Sequence, residues 1–120
     1  MLSNAGKLIG ITEEIVIKNG TGNLRVKTDS SQFNDHGTIH GGILYTICEE
    51  AVGQYVAATG KAGVAMDGSS KFYRPANGGD TLIAIVTERK SGRRVGVYNV
   101  ELINQEGKIL VDSSYTIMYV

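Results

Sequence analysis

The chain has 120 residues, enough for a single domain over residues 1–120 with one core, and too few to wall a cleft on all sides without a second subunit. Lys plus Arg and Asp plus Glu both number 12, so the formal charge is zero and bulk electrostatics points to neither a nucleic acid nor a membrane surface as partner. Cys48 stands alone, which excludes an internal disulfide and a cysteine-based zinc site, and no run approaches the ~20 apolar residues of a membrane span.

In chain order, the N-terminus MLSNAGKLIGITEE lacks the basic start and long apolar stretch of a secretory leader, so a soluble protein in the cytoplasm is expected. Residues 9–18, with Ile15-Val16-Ile17, predict a first strand, and residues 19–23 a turn. Leu24, Val26 and Thr28 then alternate with charged neighbours, completing a hairpin signal. After the polar run 29–32, the segment 36–42 (HGTIHGG) reads as a loop, and helical periodicity begins at about Gly42. Ile43, Leu44, Ile47, Cys48, Ala51, Val52, Tyr55 and Ala58 make a broad apolar stripe, and glycines at 60 and 63 end the helix. Everything after that is strand-like: 64–73 closed by Pro75, 81–88 with a continuous apolar core typical of a strand covered on both faces, 95–104 and 109–120. Ile109, Val111, Tyr115 and Ile117 should share one face of the last. One long helix followed by antiparallel strands is an α+β plan, with the helix inside the curve of the sheet.

The helix face opposite the stripe carries Gly42, Thr46, Glu49 and Gly53, with Val56 and Ala57 beside them. A solvated face is normally long and charged, whereas one carboxylate among small residues suits the close approach of a backbone, a helix or a ligand. The helix also starts from a glycine loop, so free N–H groups and the positive end of the dipole lie about two turns from Glu49. A carboxylate together with an anion-binding helix start is what acyl transfer needs.

Asn34, then His40-Gly41-Gly42 six positions later, then a carboxylate nine after the histidine, resembles hotdog-fold acyl-CoA thioesterases of the PaaI and 4-hydroxybenzoyl-CoA thioesterase type. Phe72-Tyr73-Arg74-Pro75-Ala76 with Gly79-Asp80 resembles the strand-and-turn signature that follows the helix in that family. The resemblance implies an antiparallel sheet of five or six strands around the central helix, and active sites where two subunits join their sheets. It puts Glu49 on the catalytic carboxylate position, as nucleophile or as general base for water, the Gly41 N–H on the group polarising the thioester carbonyl, and Asn34 near that carbonyl. The substrate implied is an acyl-CoA, with no metal or redox cofactor, in a homodimer or homotetramer. Two positions depart from the family: Gly53 and Ala65 stand where some members carry a hydroxyl, and Ser69 and Ser70 compensate only if strand parity turns one inward.

Plainer readings stand beside these. Glu49 can be a solvated helix residue, and Glu50, some 100° away, an ordinary partly exposed one. His40 serves either substrate contact or helix entry, His36 belongs to the loop, Asn34 can be a turn former, and Cys48 on the apolar stripe is packing. His36, His40 and Glu49 make a poor metal set, since the histidines straddle a glycine loop and no fourth ligand presents itself. Gly42 with Lys90, Arg93 and Arg94 is a candidate substrate-binding set, the basic residues gripping coenzyme A phosphates; hairpin tips of that composition are otherwise solvated. Lys71 and Arg74 are weaker candidates for the same task. Two further readings share the fold: a non-catalytic acyl-CoA-binding or sensing domain, and a dehydratase, whose HFPG-like histidine motif is absent.

Overall fold

The structure, a computed structural model, describes residues 2–29, 31 and 36–120. It opens with a short helix that the sequence reading did not contain, α1 (Asn4–Leu8). Ser3 caps it by accepting from the Gly6 N–H at 2.9 Å. Gly10, at φ 94°, ends it, with Ile11 N bonded to Gly6 O and Gly10 N to Lys7 O. This cap pair overrides the β-branched run, so residues 9–10 close a helix, Ile11 enters the core, and the first strand, β1, shrinks to Val16–Lys18. The turn is narrower than expected as well. Asn19 and Gly20 both have positive φ, the two-residue geometry that matches strand twist, and β2 resumes at once as Thr21–Lys27.

The central helix α2 spans Gly41–Ala58. Its last turn closes like that of α1, with Gly60 at φ 85° and Lys61 N bonded to Val56 O. Leu44, Ile47, Cys48, Ala51, Val52 and Tyr55 are buried as the stripe predicts, whereas Ile43 is half-buried and Ala58 exposed. Gln54 is buried because its side chain replaces a missing strand partner, accepting from Ile15 N at 2.6 Å.

Four long strands follow: β3 (Gly63–Phe72), β4 (Thr81–Ser91), β5 (Val95–Ile103) and β6 (Ile109–Tyr119). They join β1 and β2 in one antiparallel sheet of order β1-β2-β4-β5-β6-β3, curved around α2, which is the hotdog plan that the resemblance implies. Leu82, Ala84, Val86, Tyr98, Val100, Leu102, Val111, Tyr115 and Ile117 face the helix. The strand expected to be covered on both faces is not: Ile83 and Ile85 lie half-buried on the outer side. On β6, Ile109 is half-buried rather than in the core, because a register shift at Leu102/Ile103 brings Leu110 inward instead. β3 is an edge strand, bonded among the described residues to β6 alone and exposed along almost its whole length, with Val64, Met66 and Phe72 each more than half exposed. No helix among the described residues is long and apolar enough to cross a membrane.

Candidate active site

The turn after β3 braces the start of α2. Asp80 accepts from Asn77 N at 2.8 Å, and the Thr28 hydroxyl donates to Asp80 O at 2.8 Å. The turn in turn holds the glycine loop, through Ile39 N to Ala76 O at 2.9 Å and a bridge between Thr38 and Asn77. His40 then serves as N-cap, its Nδ1 accepting from Gly42 N at 2.8 Å. That bond uses the Gly42 N–H and commits one histidine nitrogen to the helix. The Gly41 N–H, in contrast, meets no acceptor among the described residues. Gly41 borders a cavity of about 270 Å³ with Thr38, Ile39, Leu44 and residues 72–75.

Glu49 lies two turns further on, half-buried in a second cavity of about 250 Å³ with Glu50, Gly53, Val56, residues 63–65 and Ile117. It has no hydrogen-bond or ion-pair partner among the described residues. Glu50 differs: its Oε2 accepts the Ser3 hydroxyl at 2.6 Å, which docks α1 on α2. Gly53 and Ala65, the two positions without the family's hydroxyl, both line the Glu49 cavity. Strand parity turns Ser70 inward, where it is bonded to buried Ser113 at 2.6 Å and is spent on packing β3 to β6; Ser69 is exposed. Tyr45 falls on α2 between Leu44 of the first cavity and Glu49 of the second, its ring edge-on to Tyr115 at 5.5 Å. Gly41 and Glu49, eight residues apart on one helix, are separated by about 12 Å along its axis.

A third cavity, of about 580 Å³, sits at the far end of α2, lined by Ala57, residues 60–62, Arg93, Tyr119 and Val120. Of the three basic residues expected to act together, only Arg93 is there. Lys90 and Arg94 are exposed outside it, and Arg94 contributes its carbonyl to Tyr119 N. Arg93 shares that cavity with Lys61, which in the sequence belongs to the helix end 60–63. Its Nζ donates to Ser91 Oγ at 2.9 Å and lies 4.5 Å from the centre of the Tyr119 ring. Arg74 donates to Ile109 O at 2.7 Å, and Lys71 stands opposite Asp112. Cys48 is fully buried, and that burial pushes its thiol up to about 12, so it is packing and no nucleophile. His36 sits exposed in the loop, and Asn34 lies outside the described residues. Among the described residues no three His, Cys, Asp or Glu side chains gather as a metal site.

The family model of the thioesterase superfamily matches residues 36–111. The acyl-coenzyme A thioesterase PaaI of Escherichia coli (strain K12) is 32% identical over 102 residues, covering 85% of this chain and 72% of that protein. The solved structure of the E. coli PaaI protein from the phenylacetic acid degradation operon matches with a TM-score of 0.89 at 28% identity, over 98% of this chain and 85% of that one. A protein of Streptococcus pneumoniae TIGR4 described as a hypothetical thioesterase, solved with coenzyme A, matches with a TM-score of 0.84 at 28% identity, over 89% of this chain and 87% of that one.

Proposed function

This chain belongs to the thioesterase superfamily and is an acyl-CoA thioesterase of the PaaI type; on that premise we propose that Glu49 is its catalytic carboxylate and that the Gly41 N–H polarises the thioester carbonyl. Hydrolysis builds negative charge on the carbonyl oxygen, which an unpaired N–H at a helix start stabilises. Glu49 then either takes a proton from the water that attacks the carbonyl carbon, or attacks that carbon itself to give a mixed anhydride that water hydrolyses. In both routes the C–S bond breaks, coenzyme A leaves as the thiolate, and the proton from water ends on its sulfur. What supports these roles most is the pair of unused groups: a half-buried carboxylate and a helix-start N–H, each bordering a cavity and each without a partner among the described residues.

One carbonyl cannot touch both groups of one chain across about 12 Å. The site is therefore completed by a second copy, Glu49 of one working against Gly41 of the other. In an antiparallel pair of helices, residue 41 lies level with residue 49 of its partner when the two-fold axis passes at residue 45. Across from Tyr45, on β3, stands Gly68, at the middle of the exposed Gly63–Phe72 edge. Pairing β3 with its own copy there would satisfy the free edge, cover Val64, Met66 and Phe72, and bring the two halves of each site together. An interface above ~1,200 Å² is expected.

The substrate's nucleotide goes to the other end of α2. Lys61 and Arg93 offer two cations to phosphate, and between them and Glu49 the helix lines the two cavities with Glu50, already bonded to Ser3, and with the small or apolar Gly53, Val56 and Ala57. From Glu49 to the helix end at Ala58 the axis runs about 13.5 Å, and the cations lie beyond that end, a span that suits an extended pantetheine arm. A second reading, an acyl-CoA-binding domain without turnover, is favoured by one observation: among the described residues no hydroxyl lines the Glu49 cavity to hold an attacking water. Thiol release from short, long and aromatic acyl-CoAs separates the two. Turnover that disappears in Glu49→Ala is expected; equal turnover in both proteins, or full activity in a monomer by sedimentation, would overturn the mechanism.

A further inference from the structure

We infer that Tyr45, seated on Gly68, is the stop that limits the length of the acyl group, so that compact acyl chains are accepted and long linear ones excluded. The inference rests on the proposed catalytic reading, and deepens it by naming the substrate class. Tyr45 projects from α2 across the crevice to β3. Its hydroxyl occupies the space that a Cβ at position 68 would need, and Cδ1 of Tyr115 lies 2.9 Å from the same point. Glycine at 68 is therefore what lets the tyrosine reach the strand. The ring is supported from below by Tyr115, almost fully buried, whose hydroxyl donates to the Tyr45 carbonyl at 3.0 Å. Neither the ring nor its backbone has free room to drop into the core.

The crevice thus has a direction. From Glu49 towards the helix C-terminus it runs past Glu50, Gly53 and Ala57 to Lys61 and Arg93, the cationic end suited to the anionic nucleotide. Towards the helix N-terminus it meets Tyr45 within one turn. Further towards the helix start lies the other cavity, about 270 Å³ with Gly41, Leu44 and Phe72 in its lining; along both α2 and β3 the Tyr45–Gly68 contact falls between those residues and the ones that line the 250 Å³ around Glu49. An acyl group bound on this side fills the space between Glu49 and the ring and goes no further. The two volumes taken together reach the size usual for small-molecule sites, so space opened at position 45 would let a longer acyl chain continue towards Gly41.

The test is the ratio of kcat/KM for decanoyl-CoA to that for butyryl-CoA, in wild type, Tyr45→Phe, Tyr45→Leu and Tyr45→Ala. Wild type should favour butyryl-CoA. The ratio should rise at least ~10-fold in Tyr45→Ala, the scale on which a pocket discriminates a few methylenes, with Tyr45→Leu between. Tyr45→Phe, which keeps the ring, should stay near wild type. Should Tyr45→Ala fail to melt cooperatively, Tyr45→Leu carries the test. An active wild type that prefers decanoyl-CoA, or a ratio that stays within ~2-fold in the folded variant, overturns the acyl stop while leaving the thioesterase reading intact. A wild type that releases thiol from neither substrate nor from the wider panel overturns that reading, and this one with it.

Discussion

Ser3 and Glu50 are joined by a 2.6 Å hydrogen bond across 47 positions of sequence, which fastens the N-terminal helix to α2 beside Glu49. The two neighbouring carboxylates therefore have different employment: Glu50 already holds a partner, and Glu49 has none among the described residues. Glu49→Gln keeps size and shape but removes the charge needed to attack carbon or accept a proton, and should lower kcat at least ~10²-fold with folding intact. Glu50→Gln weakens one partly exposed bond, so it should cost up to ~1 kcal/mol of stability and far less turnover. Steady-state kinetics and thermal melts on both variants check this. Equal losses of kcat would remove Glu49 from its role.

Gly41→Pro is a clean deletion of the N–H. Position 41 is the first residue of α2, where proline is well tolerated, and His40 before it is already extended at ψ 133°. A Cβ there meets only the Phe72 ring, at 3.7 Å. The variant should fold, and its kcat should fall ~10²–10³-fold. Mixed with inactive Glu49→Gln and allowed to exchange subunits, it should regain about a quarter of wild-type activity, because half of randomly paired dimers carry one intact site. Absence of recovery after demonstrated exchange would place both groups in one chain.

Much of this site could be read before the structure. The boundaries of α2 follow from periodicity and a glycine at each end, and they moved by a single residue. What could not be read is contact made across sequence distance. Lys61 meets Ser91, thirty positions away, only after the β4–β5 hairpin folds over the helix end, so sequence proximity groups Lys90 and Arg94 with Arg93 and gives no sign of Lys61 beside it. The inward turn of Ser70 depends on the register shift between Ala65 and Asp67, which resets alternation along β3. α1 was missed although Ser3 and Gly10 mark its ends. A five-residue helix has no periodicity to show, and the β-branched residues after it gave a stronger signal of the wrong kind.

Replacing Lys61 or Arg93 with Ala removes a contact that substrate and transition state share equally. KM for acyl-CoA should rise ~10-fold or more with kcat little changed. An N-acetylcysteamine thioester, which has no phosphates, should respond to neither substitution. Lys90→Ala and Arg94→Ala, outside the cavity, should leave KM near wild type. A loss that is the same for both substrates would count against phosphate recognition at this end of the helix.

The buried thiol gives a prediction about alkali. Burial is the main cause that raises Cys48 from 9.0 to about 12, the charge of Asp112 adds to it, and the hydrogen bond with Ser113 opposes it. In the unfolded chain the thiol ionises near its ordinary value, whereas in the folded protein it stays protonated. Over that interval the folded state binds more protons than the unfolded one, so stability must fall as pH rises from about 9 towards 12, by at most ~1.4 kcal/mol per pH unit from this group. Tyr98 and Tyr115, also raised by burial, act in the same direction from their ordinary value of 10.0. The melting temperature should be flat between neutrality and pH 9 and then decline. In the same samples at pH 8, a disulfide reagent should leave Cys48 unmodified in the folded protein and label it fully in guanidinium chloride. Rapid labelling of the native protein would mean that α2 opens from the sheet far more readily than its packing against Ser113 and Tyr115 implies.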